Sequence, residues 1–222
     1  MTSALSLLLA AVIDGAFGEP PNAVHPVVWM GWLIARGRDW ALPHPPVGQF
    51  VRGGCVALAV PLGCATCAWA LMSFVDSAVR HGVAQSSSPW PAAGALCTSI
   101  VAALVLKPLF AIRALGQAAF VMRDALAAAD VTAARSALGS LCSRSADDLD
   151  PPALVAATIE SIAENASDSI VAPLMWLVVG GLPGAVFYRA SNTLDAMIGY
   201  RGRYEWVGKV AARLDDALNL LP

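Results

Sequence analysis

The chain has 222 residues, of which 57% are hydrophobic and only 14% are charged, and its net charge is −2. Soluble domains usually carry about 25% charged residues, so the composition indicates an integral membrane protein surrounded by lipid. Nucleic-acid binding normally requires a strong basic excess. We therefore expect no nucleic-acid partner.

Apolar stretches recur along the chain at lengths close to that of a membrane span. A helix that crosses a bilayer needs about 20 apolar residues. Residues 53–75 and 92–112 have that length and residues 4–17 are shorter, and we predict all three as spans. Residues 169–188 are also apolar, but five helix-interrupting residues lie among them: Pro173, Gly180, Gly181, Pro183 and Gly184.

The positions of Lys and Arg predict the orientation. Residues 76–91 contain one basic residue, Arg80, whereas the other connections contain three to five each. Basic connections stay on the cytoplasmic side, so we place 76–91 outside the cell and the other connections inside. A full crossing by 169–188 would leave the basic C-terminal part outside. We therefore predict a re-entrant or broken helix there, with a plain span and an unusual basic tail as the alternative.

The remaining segments are predicted to be cytoplasmic helices at 113–168 and 189–222. The triplet Asp150-Pro151-Pro152 is typical of a helix start, with Asp at the N-cap and Pro in the first turn. We expect residues 113–140 to form one helix and the next helix to run from this start to about Asp168. The predicted fold is an all-α, polytopic, single membrane-embedded domain over residues 1–222.

Three carboxylates mark the end of the second cytoplasmic helix. Glu160, Glu164 and Asp168 are four residues apart and would line one helix face. Like charges at this spacing repel each other, and a bound cation would remove that repulsion. Mg²⁺ uses one or two carboxylates together with substrate phosphate oxygens. The alternative is a solvated helix face without a ligand.

Further polar groups accumulate on the predicted cytoplasmic side. Asn192 and Asp195 could share a helix face because they are three residues apart. Acids suit a metal ion and Arg suits phosphate, so we expect phosphate chemistry at the membrane. The groups concerned, besides the three carboxylates, are His25, Arg144, Arg189, Asn192, Asp195, Arg213, Asp215 and Asp216.

These residues fall within stretches that resemble the adenosylcobinamide-phosphate synthase, or cobinamide synthase, family of cobalamin biosynthesis. The resemblance is colinear over most of the chain. The matching stretches include DGAFGEP at 14–20, ESIAEN at 160–165, NTLD at 192–195, GY at 199–200 and ARLDD at 212–216.

The resemblance implies an enzyme that consumes ATP with Mg²⁺ to form an amide. The family joins aminopropanol or its phosphate to a propionate carboxylate of adenosylcobyric acid, a corrinoid. On this basis we expect Mg²⁺ at Glu160, Glu164 and Asp168, with Asp195, Asp215 and Asp216 as further acids. Phosphate or substrate would be bound by Arg144, Arg189, Asn192, Tyr200 and Arg213. The amine would lose its proton to His25 or Asp195, and Asn165 or Asn192 would orient carboxylate or amide oxygens.

Two departures from the family pattern affect the predicted enzymatic function. Arg144-Ser145-Ala146 stands where family members usually have Arg-Asp-Thr, and the chain ends at Pro222, before the C-terminal part of the family pattern. A non-catalytic membrane sensor or scaffold of the same architecture is therefore an alternative, as is a small-solute transporter, although no inverted repeat is visible. A homo-oligomer is also compatible with the sequence.

Overall fold

The computed structural model describes residues 4–85, 91–142 and 146–222, and within these ranges every regular element is helical, which confirms the all-α prediction. The helices are α1 (Ala4–Phe17), α2 (Pro26–Ala41), α3 (Pro46–Gln85), α4 (Pro91–Leu106), α5 (Ile112–Ala127), α6 (Val131–Leu138), α7 (Pro151–Ala166), α8 (Ala172–Ile198) and α9 (Lys209–Leu218). Short 3-10 turns lie at Asn22–Val24 and Lys107–Leu109, and a π turn lies at Ser167–Val171.

Three helical stretches in the described part of the chain are long and apolar enough to cross a membrane: Pro46–Gly82, Ala93–Ala127 and Pro151–Ile198. Helix α1 coincides with the predicted span 4–17, and α3 extends the predicted span 53–75 at both ends. The predicted span 92–112 corresponds to the first part of the stretch Ala93–Ala127, within which α4 ends at Leu106, Pro108 lies in a 3-10 turn and Phe110 is extended.

The cytoplasmic helices differ in part from the prediction. The helix start at Asp150 is confirmed, because its side chain accepts a hydrogen bond of 2.9 Å from the backbone N–H of Ala153. The single helix expected over 113–140 was wrong: α5 and α6 are separated at Ala129, whose φ is 54°. Asp130 then caps α6 through the N–H of Ala133. The sequence pattern assigned no element to the segment that forms α2.

The interrupted segment 169–188 is folded back on itself, as the broken-helix prediction required. Within α8 the backbone leaves the helical conformation at Gly181, whose φ is 65°, a value that favours glycine. Asp168 and Asn192 are 24 residues apart, and their side chains hydrogen-bond at 3.0 Å. A straight helix would separate such residues by about 36 Å. The π turn and α8 therefore form a helical hairpin with Gly181 at its tip.

The dimensions of this hairpin suit a re-entrant element. Residues 167–180 rise only about 20 Å, less than the roughly 30 Å of a hydrocarbon core. Gly184 permits the close approach of the two arms, because a Cβ atom there would lie 2.6 Å from the carbonyl oxygen of Trp176. Both open ends of the hairpin consequently lie on the same side of the molecule.

Apolar clusters at its tip and at its base hold the hairpin in place. Its tip packs in a core formed with α1, α3 and α4, where Leu182 and Ala185 contact the surroundings of Ala68 and Leu106. Its base packs against α2, α3 and α9 in a second core around Ile198. Helices α5, α6 and α7 bury their own cluster. The open end of the hairpin is thereby fixed beside α9 and the connection that precedes it.

Candidate functional site

Polar side chains from three elements meet at the open end of the hairpin. The π turn, α8 and α9 contribute them, and we call this group the hairpin cluster: Asp168, Tyr188, Arg189, Asn192, Asp195, Asp215 and Asn219. On α8 the positions 188, 192 and 195 follow helical spacing and share one face. On α9 the positions 215 and 219 are one turn apart. The fold-back at Gly181 adds Asp168 to this face.

Amide groups hold two of the carboxylates of the hairpin cluster. Nδ2 of Asn192 donates to Oδ2 of Asp168 at 3.0 Å, and Nδ2 of Asn219 donates to Oδ2 of Asp215 at 2.9 Å. The hydroxyl of Tyr188 donates to Oδ1 of Asn219 at 2.8 Å and lies 3.4 Å from Oδ1 of Asp168. The network therefore fixes acids from the π turn and from α9 against the same helix face.

The hairpin cluster has more negative charge than its own partners neutralise. Burial raises the pKa of Asp215 to about 6, and the charges of Asp195 and Asp168 add to this effect. Hydrogen bonds from the amides of Asn192 and Asn219 act in the opposite direction. Oδ1 of Asp215 is buried and has no hydrogen-bond partner among the described residues. A carboxylate oxygen in this situation is suited to bind a cation.

Arg189, a member of this cluster, also interacts with the N-terminal part of the chain. Its charge interacts with Glu19 on one side and with Asp168 and Tyr188 on the other. Its Nε is buried, and no described residue accepts a hydrogen bond from it. A guanidinium group presents planar donors that match phosphate and carboxylate oxygens. Arg189 can therefore bind an anionic group brought in by a ligand.

A second group of charged residues, which we call the N-terminal cluster, comprises Asp14, Glu19, His25 and Lys107. Nζ of Lys107 lies 3.1 Å from Oδ1 of Asp14 and 2.8 Å from Oε1 of Glu19. The side chains of Lys107 and Asp14 are only 4% and 3% exposed. The other oxygen of Asp14 accepts a hydrogen bond from the backbone N–H of Arg113 at 2.9 Å. Each charge of this cluster thus faces an opposite charge or a donor.

His25 has a capping role in the N-terminal cluster. Its Nδ1 accepts the backbone N–H of Val27 at 3.2 Å and so caps α2. The other ring nitrogen, Nε2, lies 3.0 Å from Oε2 of Glu19. In the neutral ring the proton is therefore on Nε2, where it is donated to Glu19. The proposed role of His25 as a base stays a prediction.

The three carboxylates of the sequence stripe are not brought together as a metal site. Glu160 and Glu164 lie on the exposed face of α7, and only Asp168 is turned into the hairpin cluster. The change coincides with the π turn, which winds more widely than an α-helix and so alters the helical face. Within the described ranges no three His, Cys, Asp or Glu side chains form a group able to hold a metal ion.

Among the remaining predicted residues, Asn165 makes a contact between helices, and others line an open pocket described below. Nδ2 of Asn165 donates to the carbonyl oxygens of Leu141 and Ser161, each at 2.8 Å, and so joins α7 to the end of the α6 region. Arg144, predicted to bind phosphate, lies outside the described residues.

The open pocket lies next to the hairpin cluster and has a volume of about 540 Å³. It brings together three predicted residues, Tyr200, Arg213 and Asp216, with two further cations, Arg201 and Lys209. Arg213 forms an exposed ion pair of 3.2 Å with Asp216. Exposed pairs of this kind are weak, so these cations remain available to an anionic ligand. We call this the basic pocket.

Comparison with known proteins identifies the family. A family model described as CobD/Cbib protein matches residues 7–222. The chain belongs to this family. It is 37% identical over 218 residues to the cobalamin biosynthesis protein CobD of Dehalococcoides mccartyi, covering 98% of this chain and 66% of that protein.

Two further relatives support the assignment of this chain to the family. The chain is 39% identical to the probable cobalamin biosynthesis protein CobD of Thermococcus kodakarensis. It is 40% identical to the cobalamin biosynthesis protein CobD of Chromobacterium violaceum, and both matches cover the whole of this chain. This chain spans 68% of the length of the first of these proteins and 66% of the second, which is about two thirds of each. No solved structure matches the chain significantly.

Five residues of the two clusters were not assigned a role from the sequence: Asp14, Glu19, Lys107, Tyr188 and Asn219. The partners of Lys107, Asp14 and Glu19, precede it by about ninety positions, so no local pattern connects them. Tyr188 and Asn219 lie close to residues that did receive a role. A usable signal existed for both, because Tyr188 is one helical turn before Asn192 and Asn219 is one turn after Asp215.

Proposed function

We propose that this CobD/Cbib family chain acts in cobalamin biosynthesis as an ATP-dependent amide ligase. The reaction would join aminopropanol or its phosphate to a propionate carboxylate of adenosylcobyric acid. The observation that carries the proposal is the position of surplus carboxylates in the hairpin cluster, next to Arg189 and the basic pocket. Acids for a metal and cations for phosphate are the groups that such a reaction needs.

The chemistry begins with an unreactive carboxylate. Its negative charge repels an amine, so the propionate must first be activated. Transfer of the γ-phosphoryl group of ATP to a carboxylate oxygen gives an acyl phosphate and ADP. The amine nitrogen then forms a bond to the carbonyl carbon, the bond from that carbon to the phosphate oxygen breaks, and one proton leaves the nitrogen. The enzyme has to align the groups and neutralise the phosphate charge.

The hairpin cluster fits a Mg²⁺ ion bound together with ATP. The buried, unpartnered Oδ1 of Asp215 is a suitable oxygen donor, and the charges of Asp195 and Asp168 act at the same place. Mg²⁺ needs only one or two protein carboxylates when phosphate oxygens complete its shell, so a preformed set of three is not required. When bound, the ion would offset negative charge on the phosphate oxygens. Asp216 remains a proposed further acid of this site, whereas Glu160 and Glu164 lie on the exposed face of α7 and are not assigned to it.

Arg189 and the basic pocket are proposed to bind the anionic parts of the substrates. The negative charges of Glu19 and Asp168 both act on Arg189, and its buried Nε has no hydrogen-bond acceptor among the described residues, so the guanidinium can still donate to a ligand. Arg213 and Lys209 have only exposed partners that a phosphate group can displace. Tyr200 lines the same pocket and offers a hydroxyl and a ring face. We assign the pocket to the phosphate of ATP or of the aminopropanol arm.

Asp195 is the preferred acceptor for the proton of the amine. It lies in the hairpin cluster, where the neighbouring acids Asp168 and Asp216 act on it. His25 is less suitable, because its Nδ1 already accepts the N–H of Val27. Both open ends of the hairpin lie on one side, which we propose to be the cytoplasmic side of a multi-pass inner-membrane protein, where ATP is available.

The proposal is tested by measuring product formation with the protein as its gene encodes it, in lipid nanodiscs. The protein is incubated with adenosylcobyric acid, ATP, Mg²⁺ and either aminopropanol or its phosphate, and the amide product is detected by mass spectrometry. We expect product from the wild type and a decrease in kcat/KM on the order of 10²–10³-fold in Arg189→Gln.

The matched control is Arg80→Gln in the exposed segment after the middle of α3, which should retain activity. A well-folded wild type that forms no product with either amine would contradict the ligase. The alternative of a non-catalytic membrane sensor or scaffold would then be favoured. Equal activities of the wild type and Arg189→Gln would remove Arg189 from the site.

A further inference from the structure

An open apolar groove of about 540 Å³ lies between α2, α3, α4 and α8, away from the hairpin cluster. Its lining contains almost no polar surface and includes Trp29, Leu33, Gly63, Cys67, Leu109 and Val186. A Cβ atom at Gly63 would meet no neighbouring atom within 4 Å, so the groove is open at this position. The groove is therefore shaped for a flexible apolar chain.

The α2 wall of the groove ends in a cation. Trp29 and Leu33 line the groove, and Arg36 and Trp40 follow at intervals of three and four residues, so all four lie along one side of α2. The Arg36 guanidinium lies 4.5 Å from the ring centre of Trp32. Trp29, Trp32 and Trp40 are each more than half exposed. Exposed Trp residues beside Arg are typical of the membrane–water interface.

The α3 wall of the groove ends in a cation at the same place. Gly63 lines it, and Arg52 lies eleven residues, or three turns, before Gly63 on the same side of α3. Gly37 contacts Val56, and Arg52 lies 4.4 Å from the ring centre of Trp40. Increasing residue numbers along α2 therefore lie beside decreasing residue numbers along α3. The two helices are antiparallel, and Arg36 and Arg52 lie at one end of the groove.

These two arginines have no acidic partner among the described residues, unlike several other exposed cations. Arg38 pairs with Asp39, and Arg123 pairs with Asp124. Among the described residues, no Asp or Glu lies within ion-pair distance of Arg36 or Arg52. An uncompensated pair of cations at the end of an apolar groove complements an anion with an attached hydrocarbon chain.

We propose that this groove is a binding site for an anionic phospholipid. One acyl chain lies along α2 and α3, and the phosphate lies at Arg36 and Arg52, flanked by Trp32 and Trp40. Cytoplasmic leaflets are rich in anionic lipids, and juxtamembrane Arg residues are attracted to them. The site is separate from the hairpin cluster, and its occupancy does not depend on the ligase reaction.

The test is native mass spectrometry of the delipidated protein in mild detergent, titrated with phosphatidylglycerol or with phosphatidylcholine that has the same acyl chains. We expect the wild type to prefer phosphatidylglycerol. The double variant Arg36→Gln with Arg52→Gln should bind it about thirtyfold more weakly, as expected for the loss of two cations next to an anionic lipid. The pair Arg36→Lys with Arg52→Lys should retain most of the preference.

Two further variants separate the headgroup from the acyl chain. Gly63→Phe fills the groove and should weaken the binding of both lipids, whereas Arg123→Gln removes a distant exposed Arg and should behave as the wild type. Equal binding of the two lipids by the wild type would overturn the proposal, as would an unchanged preference in the double Gln variant. A dimer that excludes phosphatidylglycerol would assign the groove to a second copy and also overturn it.

Discussion

The N-terminal cluster and the hairpin cluster are both sets of charged residues at the edge of apolar helices, but their charges are balanced differently. In the N-terminal cluster, Lys107 lies between the carboxylates of Asp14 and Glu19, and the second oxygen of Asp14 accepts a backbone N–H. In the hairpin cluster, three carboxylates share two amides, and an oxygen of Asp215 has no partner among the described residues.

This difference separates a structural role from a functional one. A closed network of buried charges is destabilised when one member is removed, because the others then lose their compensation. An open network of like charges is unfavourable in the folded state by itself and becomes favourable when a ligand completes it. We therefore interpret the N-terminal cluster as support for α1 and α2, and the hairpin cluster as the binding site.

The largest expected loss of stability comes from Lys107→Met. Removing the ammonium group leaves Asp14 buried without its cation, which should lower the free energy of unfolding by about 3–5 kcal/mol. Thermal unfolding in detergent measures this. The double variant with Asp14→Asn should recover part of the loss, since the uncompensated charge is removed as well. A change below about 1 kcal/mol in the single variant would show that the pair is not structural.

A smaller loss is expected when the hairpin arms are forced apart. A Cβ atom at Gly184 would overlap the carbonyl oxygen of Trp176, so Gly184→Ala should cost about 1–3 kcal/mol of stability. Product formation should fall as well, because the hairpin positions Asp168 against Asn192. Gly180→Ala is the matched control, since its Cβ would meet open space. Similar unfolding temperatures for the two variants would argue against the close packing of the arms.

The smallest effect is the dependence of stability on pH that Asp215 causes. Its pKa is raised from 3.8 to about 6 in the folded state, so between these values the folded state binds more protons than the unfolded chain. The free energy of unfolding therefore decreases as the pH rises from about 4 to 6, and the contribution is constant above that.

The variant Asp215→Asn isolates this contribution from those of other acids. Without divalent cations, it should show a weaker decrease of the unfolding temperature over this range and should be at least as stable as the wild type at pH 7. Unfolding scans of both proteins at a series of pH values provide the measurement. A variant that is less stable at pH 7 would mean that the Asp215 carboxylate is stabilised by its surroundings, contrary to the proposed surplus of negative charge.

Local patterns in the sequence predicted those parts of the fold that depend on local chemistry. The Asp150 cap could be predicted because Asp followed by Pro satisfies the first N–H groups of a helix. The interruption of 169–188 could be predicted because Gly and Pro weaken a helix. The basic residues before and after this segment also predicted that the chain returns to the same side of the membrane. The break at Ala129 could not, because no Gly or Pro marks this positive φ.

Contacts between distant residues were much harder to predict. The carboxylate stripe drew attention to Asp168, which lies in the hairpin cluster, but the π turn that separates Asp168 from Glu160 and Glu164 has no clear sequence signature. Lys107 was missed because its partners are contributed by α1 and the turn that follows it. The grouping of Asp168 with Asp215 depends on the fold-back at Gly181 and on the docking of α9, which a single helix pattern does not contain.

The most direct test of the account compares product formation by Asp215→Asn and the wild type at equal folded fraction. The assay contains adenosylcobyric acid, aminopropanol or its phosphate, ATP and Mg²⁺, and Asp124→Asn on the exposed face of α5 serves as the control. We predict a rate on the order of 10²–10³-fold lower for Asp215→Asn, with unfolding temperature preserved and the control unaffected. A rate within about threefold of the wild type would show that the open charge of the hairpin cluster is not the catalytic site.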